Sequence, residues 1–253
     1  MKSIFILAKM TFQQSFSTKV FWFVVFFAGL CLFLSPLLAS LSFTEKTRLM
    51  ADFSFLFLHL TLLILAIIFG AFAFPQELEK QTCLLILARP VSRWQFLMGK
   101  YLGILTLLLL FQALIQMAIA FLLRNEPMEL HHFQVGLGIA LESSLVLALS
   151  MTFSFVVSPA IAAFVSASLF LTGQWLPDLK FFAIKSQDAA YMMFSEICNK
   201  IIPHFYEIHW RNFQDLTQGV STFKIYWGFF HTMMWLGFLG CVSLIFFRRK
   251  DLV

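Results

Sequence analysis

VFWFVVFFAGLCLFLSPLLASL, residues 20–41, carries no charged side chain from end to end. An α-helix needs about 20 apolar residues to cross the hydrocarbon core of a bilayer, so this stretch reads as a membrane span. Working outward from it, five more apolar runs follow, at 53–74, 102–123, 133–157, 160–176 and 225–247. The fourth contains Glu142. The fifth is short and bounded by Pro159 and Pro177, which fits a helical hairpin with a tight turn at Ser158 and Pro159, because proline suits the first turn of the helix it opens.

Composition agrees. The chain has 253 residues, 60% hydrophobic and 12% charged, against about 25% charged in a soluble domain. That much apolar surface needs lipid as its solvent. The expected fold class is all-α: a polytopic membrane protein of about six transmembrane helices, forming a single domain over 1–253 with no length left for a soluble catalytic module. The net charge of +5 does not point to nucleic acid, because the basic residues flank apolar runs as topology determinants do. With the N-terminus inside, cytoplasmic segments hold Lys2, Lys9, Lys19, Lys80, Arg89, Arg93, Lys100, Arg248, Arg249 and Lys250, whereas the short outer loops hold Lys46, Arg48 and Arg124. The expectation is a cell inner-membrane protein with both termini cytoplasmic and a longer outer loop at 177–224.

Residues 1–19 precede the first span. Ile4, Ala8, Phe12 and Phe16 recur every fourth residue, the pattern of an amphipathic helix lying on the inner surface. A signal peptide cleaved near Ala39 is the rival reading, but nineteen residues make a long leader and five more spans follow. Cys31, Cys83, Cys198 and Cys241 show neither metal-type spacing nor a disulfide framework.

The loop 76–101 between the second and third spans carries the most information. Glu77 and Glu79 follow the second span. Thr82 caps a short apolar helix, 83–88, that contains Leu84, Leu85 and Leu87 and ends at Arg89 and Pro90. Ser92 and Gln95 then form a capping box for a helix running through Arg93 and Lys100 into the third span. A cytoplasmic apolar helix too short to span either docks on a partner or lies in the lipid headgroups.

This loop resembles that of the ABC type-2 exporter permeases: an acidic pair, a Thr, a Leu-rich helix, then LARPVSR and GKYLG. The order of features, from N-terminal elbow through six spans to the terminal FFRRKDL, is similar across nearly the whole chain, and IIPHFYEIHWRNFQDLTQG (201–219) resembles the outer loop of related members. Gln81 departs from the pattern, where Gly before the Thr is common. The resemblance implies that Glu77, Glu79, Thr82, Leu84, Leu85, Leu87, Arg89, Pro90 and Arg93 couple the chain to cytoplasmic ABC ATPase subunits. It further implies a homodimer or a heterodimer with a second permease. The chain has no phosphate-binding loop, since Gly99–Lys100 lacks the glycine five residues earlier. No cofactor is expected on this chain itself; ATP and Mg would bind the partner ATPase.

Polar residues inside spans are functional candidates. Gln112 and Gln116 share a face of the third span, and Glu142, Ser143 and Ser144 lie in the fourth. They suit either a polar substrate path or interhelical hydrogen bonds. No Lys or Arg lies at the depth of Glu142 in another span, so a water-accessible cavity shared with Ser143 and Ser144 is the expected arrangement. Ala162, Ala163, Ser166 and Ala167 offer a small-residue face for a dimer seam or an internal contact. His59, His131, His132, His204, His209 and His231 all fall in the outer half, but no paired spacing on one helix marks a metal site, and none is expected. The functional expectation is the permease of an ATP-driven exporter for a lipid-like substrate. The alternatives are a non-transporting ABC subunit that passes force to an outer partner protein and an ion-coupled secondary carrier.

Overall fold

The computed structural model describes residues 2–40, 46–75, 92–124, 131–211 and 219–249. The expected coupling helix, with Glu77, Glu79, Thr82, Leu84, Leu85, Leu87, Arg89 and Pro90, lies outside the described residues. The fold is all-helical among those described: α1 (Lys2–Phe16), α2 (Lys19–Ala39), α3 (Lys46–Phe72), α4 (Arg93–Leu122), α5 (His132–Ser154), α6 (Pro159–Gln174), α7 (Leu176–Ser186), α8 (Ala189–Ile201), α9 (Phe205–Ile208) and α10 (Thr222–Arg249).

Five helices, α2, α3, α4, α5 and α10, are long and apolar enough to cross a membrane. The pair α6 and α7 makes a sixth if read as one span broken by a 61° bend. The break has a local cause. Pro177 falls in the first turn of α7, where its ring and missing N–H prevent continuation of α6. Ser158 and Pro159 open α6 as the hairpin reading expects, and the Ser92–Gln95 capping box opens α4. The expected outer loop is largely helical, forming α7, α8 and α9.

The spans alternate between an N-terminal face, which carries α1, the start of α4 and the end of α10, and a distal face, which carries α7–α9. At the centre is α5, packed on α3, α4, α6, α9 and α10. Its span window is 89% buried, against 33% for α2 and α4 and 22% for α10. Apolar packing alone does not drive helices together in lipid, so interhelical hydrogen bonds and close backbone approach supply specificity. Ser150 Oγ donates to Ile67 O across α5 and α3 at 2.7 Å. Thr152 and Ser243 hydroxyls meet at 2.8 Å across α5 and α10, and the Ser35 and Ser54 hydroxyls meet at 2.9 Å across α2 and α3. Gln112 Nε2 donates to Gly136 O at 2.5 Å and Gln116 Nε2 to His132 O at 2.7 Å, so both glutamines bind α4 to the first turns of α5. Ala162 and Ser166 are fully buried within the chain. They make an internal contact, which corrects their reading as seam candidates and leaves only the half-buried Ala163 and Ala167 open to a second chain.

The N-terminal face is closed by Phe74, Phe96, Phe155 and Phe247, all buried, with ring centroids 4.5–5.7 Å apart. Arg93 donates to Phe247 O at 2.6 Å and Arg248 O at 3.1 Å, satisfying carbonyls that a helix C-terminus otherwise leaves open. Helix α1 lies along α4. Its buried stripe is Leu7, Thr11 and Ser15; of the apolar stripe that the sequence places on the membrane surface, Ile4, Ala8 and Phe12 are half-buried and Phe16 is exposed, as are Phe5, Ile6 and Met10. The reason is the groove left by Gly99 and Gly103: a Cβ on Gly103 would come within 2.5 Å of Ala8 O and 2.7 Å of Thr11 Cβ. Leu7 therefore meets Gly99, and Ala8 and Thr11 meet Gly103, while the bulky Phe5, Ile6 and Met10 turn outward. Gly103→Leu should push α1 off α4 at a cost of about 1–3 kcal/mol. A lower melting temperature and faster proteolysis within residues 2–16 would register it, and an unchanged cleavage pattern would contradict this packing.

Candidate functional site

The distal half of the bundle is organised around Glu142, 1% exposed in the middle of α5. Its carboxylate has three neighbours from three other segments. Oε2 lies 2.6 Å from Nε2 of His59 on α3. Oε1 accepts from Nε2 of Gln174, the last residue of α6, at 2.8 Å, and lies 3.2 Å from Nδ1 of His209, just past α9. Burial lowers the Arg211 guanidinium from the ordinary arginine range, while the charges of Glu142 and Asp52 act on it in the opposite direction. A buried carboxylate is tolerated when matched in this way.

Ser143 and Ser144 take no part. Their hydroxyls bond back to Ala140 O and Leu141 O on their own helix. The expected cavity shared by Glu142 and the two serines is thus replaced by a packed cluster of Glu142 with two histidines and a glutamine. The reading that no partner exists at this depth weighed only Lys and Arg, and it treated 177–224 as lying wholly outside the bundle.

The segment 202–211 inserts into the distal end. Phe205, Ile208 and Trp210 are at most 2% exposed. Phe170 packs edge-on against both His59 and Phe205, with centroids 5.9 and 5.1 Å apart. Three helices make room by lacking a Cβ. On α6, a side chain at Gly173 would meet Phe205 and Pro203 O at 2.6 Å. On α5 and α10, side chains at Gly138 and Gly228 would meet Ile208 O and the Trp210 ring, each at 2.8 Å. Glu207 fastens the segment from the side, accepting from the Trp227 indole on α10, while its backbone oxygen accepts from the Trp210 indole at 3.0 Å. The sequence places His59 and His209 in the same half of the molecule. What joins His59 to His209, however, is tertiary.

A second feature lies apart from this cluster. An apolar cleft of about 620 Å³ runs between α4, α5 and α10, lined among others by Trp94, Tyr101, Ser144, Thr232, Gly237 and Ser243. Of the five intramembrane candidates only Ser144 lines it; Gln112, Gln116, Glu142 and Ser143 do not. Tyr101 donates to Ser144 O at 3.1 Å, whereas the Thr232 hydroxyl is buried with no hydrogen-bond partner among the described residues.

A family model described as ABC-2 family transporter protein matches residues 5–176, more than half of the chain. No curated protein matches it. The matched range takes in α1 to α6 and so contains His59, Glu142 and Gln174, while His209 and the α10 wall of the cleft lie beyond it.

Removing one partner of a buried charged cluster costs about 3–5 kcal/mol, whereas replacing both by apolar groups is often neutral. His59→Leu should therefore lower the melting temperature more than the double change His59→Leu with Glu142→Leu does. A loss in the double variant equal to the sum of the separate His59→Leu and Glu142→Leu losses would show that the pair is energetically uncoupled.

Proposed function

Because the chain belongs to the ABC-2 transporter family, we propose that it is the membrane-spanning permease subunit of an ATP-driven exporter whose cargo is lipid-like or amphiphilic. Family membership makes it a multi-pass membrane transport component and not itself an enzyme; it implies association with ABC ATPase subunits, which would supply ATP hydrolysis with Mg. The charge pattern supports both termini, and with them the N-terminal face, in the cytoplasm of an inner-membrane protein.

The observation that carries the cargo reading is the cleft. It is large enough for an apolar chain and almost wholly apolar in lining, with an indole at one end and few polar groups, which suits a ligand with a long apolar body and a small polar part. Coupling has a physical route. Residues 76–91 fall in sequence between α3 and α4, whose adjoining ends lie on the proposed cytoplasmic face. A push from the ATPase on this loop acts directly on α4. At its first residue α4 grips the end of α10 through Arg93, so the two walls of the cleft are joined at the end where force arrives. A second permease chain, the same or different, completes the assembly in this reading.

Gly237 tests it without disturbing packing, since a Cβ there meets no atom within 4 Å. Gly237→Phe should fill the cleft and cut amphiphile-stimulated ATP turnover of the assembled complex by about tenfold, the equivalent of about 1.4 kcal/mol of lost binding, with ATPase co-purification unchanged. Full stimulation in this variant would remove the cleft from the transport path. Absence of any amphiphile stimulation in the wild-type complex would favour a subunit that transmits force without carrying cargo.

A further inference from the structure

We propose that His59, Glu142 and His209 form a binding site for a divalent transition-metal ion of the zinc class, which ties the 202–211 segment to α3 and α5. The proposal is independent of the transport reading.

The three residues offer His59 Nε2, His209 Nδ1 and a Glu142 carboxylate oxygen, all within 4.8 Å of one another. Zinc bound at about 2.0–2.1 Å in a tetrahedron sets its ligand atoms roughly 3.3 Å apart, and His209 Nδ1 lies 3.2 Å from Glu142 Oε1. His59 supplies the second observation. Its side chain is 6% exposed and its Nε2 is 2.6 Å from Glu142 Oε2, yet among the described residues Nε2 has no aligned hydrogen-bond partner. The in-plane direction of that nitrogen therefore misses the carboxylate oxygen. Two imidazoles and a carboxylate converge here, His209 hydrogen-bonded to Glu142 and His59 Nε2 left unaligned, as suits ligands of a shared centre.

The donor set selects the ion. Two nitrogen ligands and one carboxylate suit zinc and its borderline neighbours, and disfavour magnesium and calcium, which take oxygen. Ligating groups are commonly held by a surrounding hydrogen bond, and Gln174 provides one to Glu142 Oε1 at 2.8 Å. His209, 22% exposed, is the open side, where an ion would enter and a water would take the fourth position. Because the ligands come from three separate segments, binding free energy becomes stability of the inserted segment.

The test uses the full chain purified in detergent without a polyhistidine tag, stripped with chelator and titrated with cobalt(II) or zinc. The expected result is one cobalt per chain with the visible d–d bands of a four-coordinate centre, and a zinc-dependent rise in melting temperature. Both should be lost in His59→Ala, and cobalt should bind about tenfold more weakly in Gln174→Leu. Should His59→Ala fail to fold, His209→Cys decides: a thiolate-to-cobalt charge-transfer band places residue 209 on the metal, and cobalt binding without that band overturns the assignment. A folded wild-type chain with no d–d bands and no response to zinc overturns the site altogether.

Discussion

A carboxylate inside a lipid-facing bundle must be matched by protein, because hydrocarbon offers it nothing. Glu142 is that carboxylate, and the distal half of the molecule follows from it. Its position in the middle of α5 needs polar partners at the same depth, and α3 and α6 supply His59 and Gln174. The third side is filled by His209, which lies outside the spans in sequence. To bring His209 there, the chain after α8 must turn into the bundle. The absent side chains of Gly138, Gly173 and Gly228 provide the space, and Glu207 fastens the segment to α10 through Trp227.

The opposite half obeys a different rule. There the helices are held by the buried ring cluster of Phe74, Phe96, Phe155 and Phe247, and by Arg93 on the last carbonyls of α10. Between the two halves, α4 and α10 separate and leave the apolar cleft against α5. The molecule is thus fastened at both ends by polar interactions and left with an apolar opening along one side. That arrangement suits a subunit moved from its N-terminal face while the distal end stays packed.

Much of this architecture is local physics and was legible in the residues. Apolar run length marks the spans, Ser158 and Pro159 mark a turn, and Ser92 with Gln95 marks a helix start. The acidic residue in the fourth span also stood out from sequence alone. Its partners did not, because histidine is not a fixed charge and the residues at 59 and 209 carry no shared spacing. The packing face of α1 was not legible for a related reason: the apolar period marks a surface helix, but the glycines that receive Leu7 and Thr11 are almost a hundred residues away. Likewise Ala162 and Ser166 look like any small-residue seam until their burial within one chain is seen.

The central claim is that Glu142 holds the 202–211 segment inside the bundle. It is tested most directly at Ile208, which is fully buried. A single cysteine placed there, in a chain whose native cysteines are replaced, can be probed with a membrane-impermeant thiol reagent. The account predicts protection with Glu142 present and rapid labelling once Glu142→Leu is added to a chain that remains folded. Equal protection in both would contradict it, and would mean that the segment is held by its apolar contacts alone.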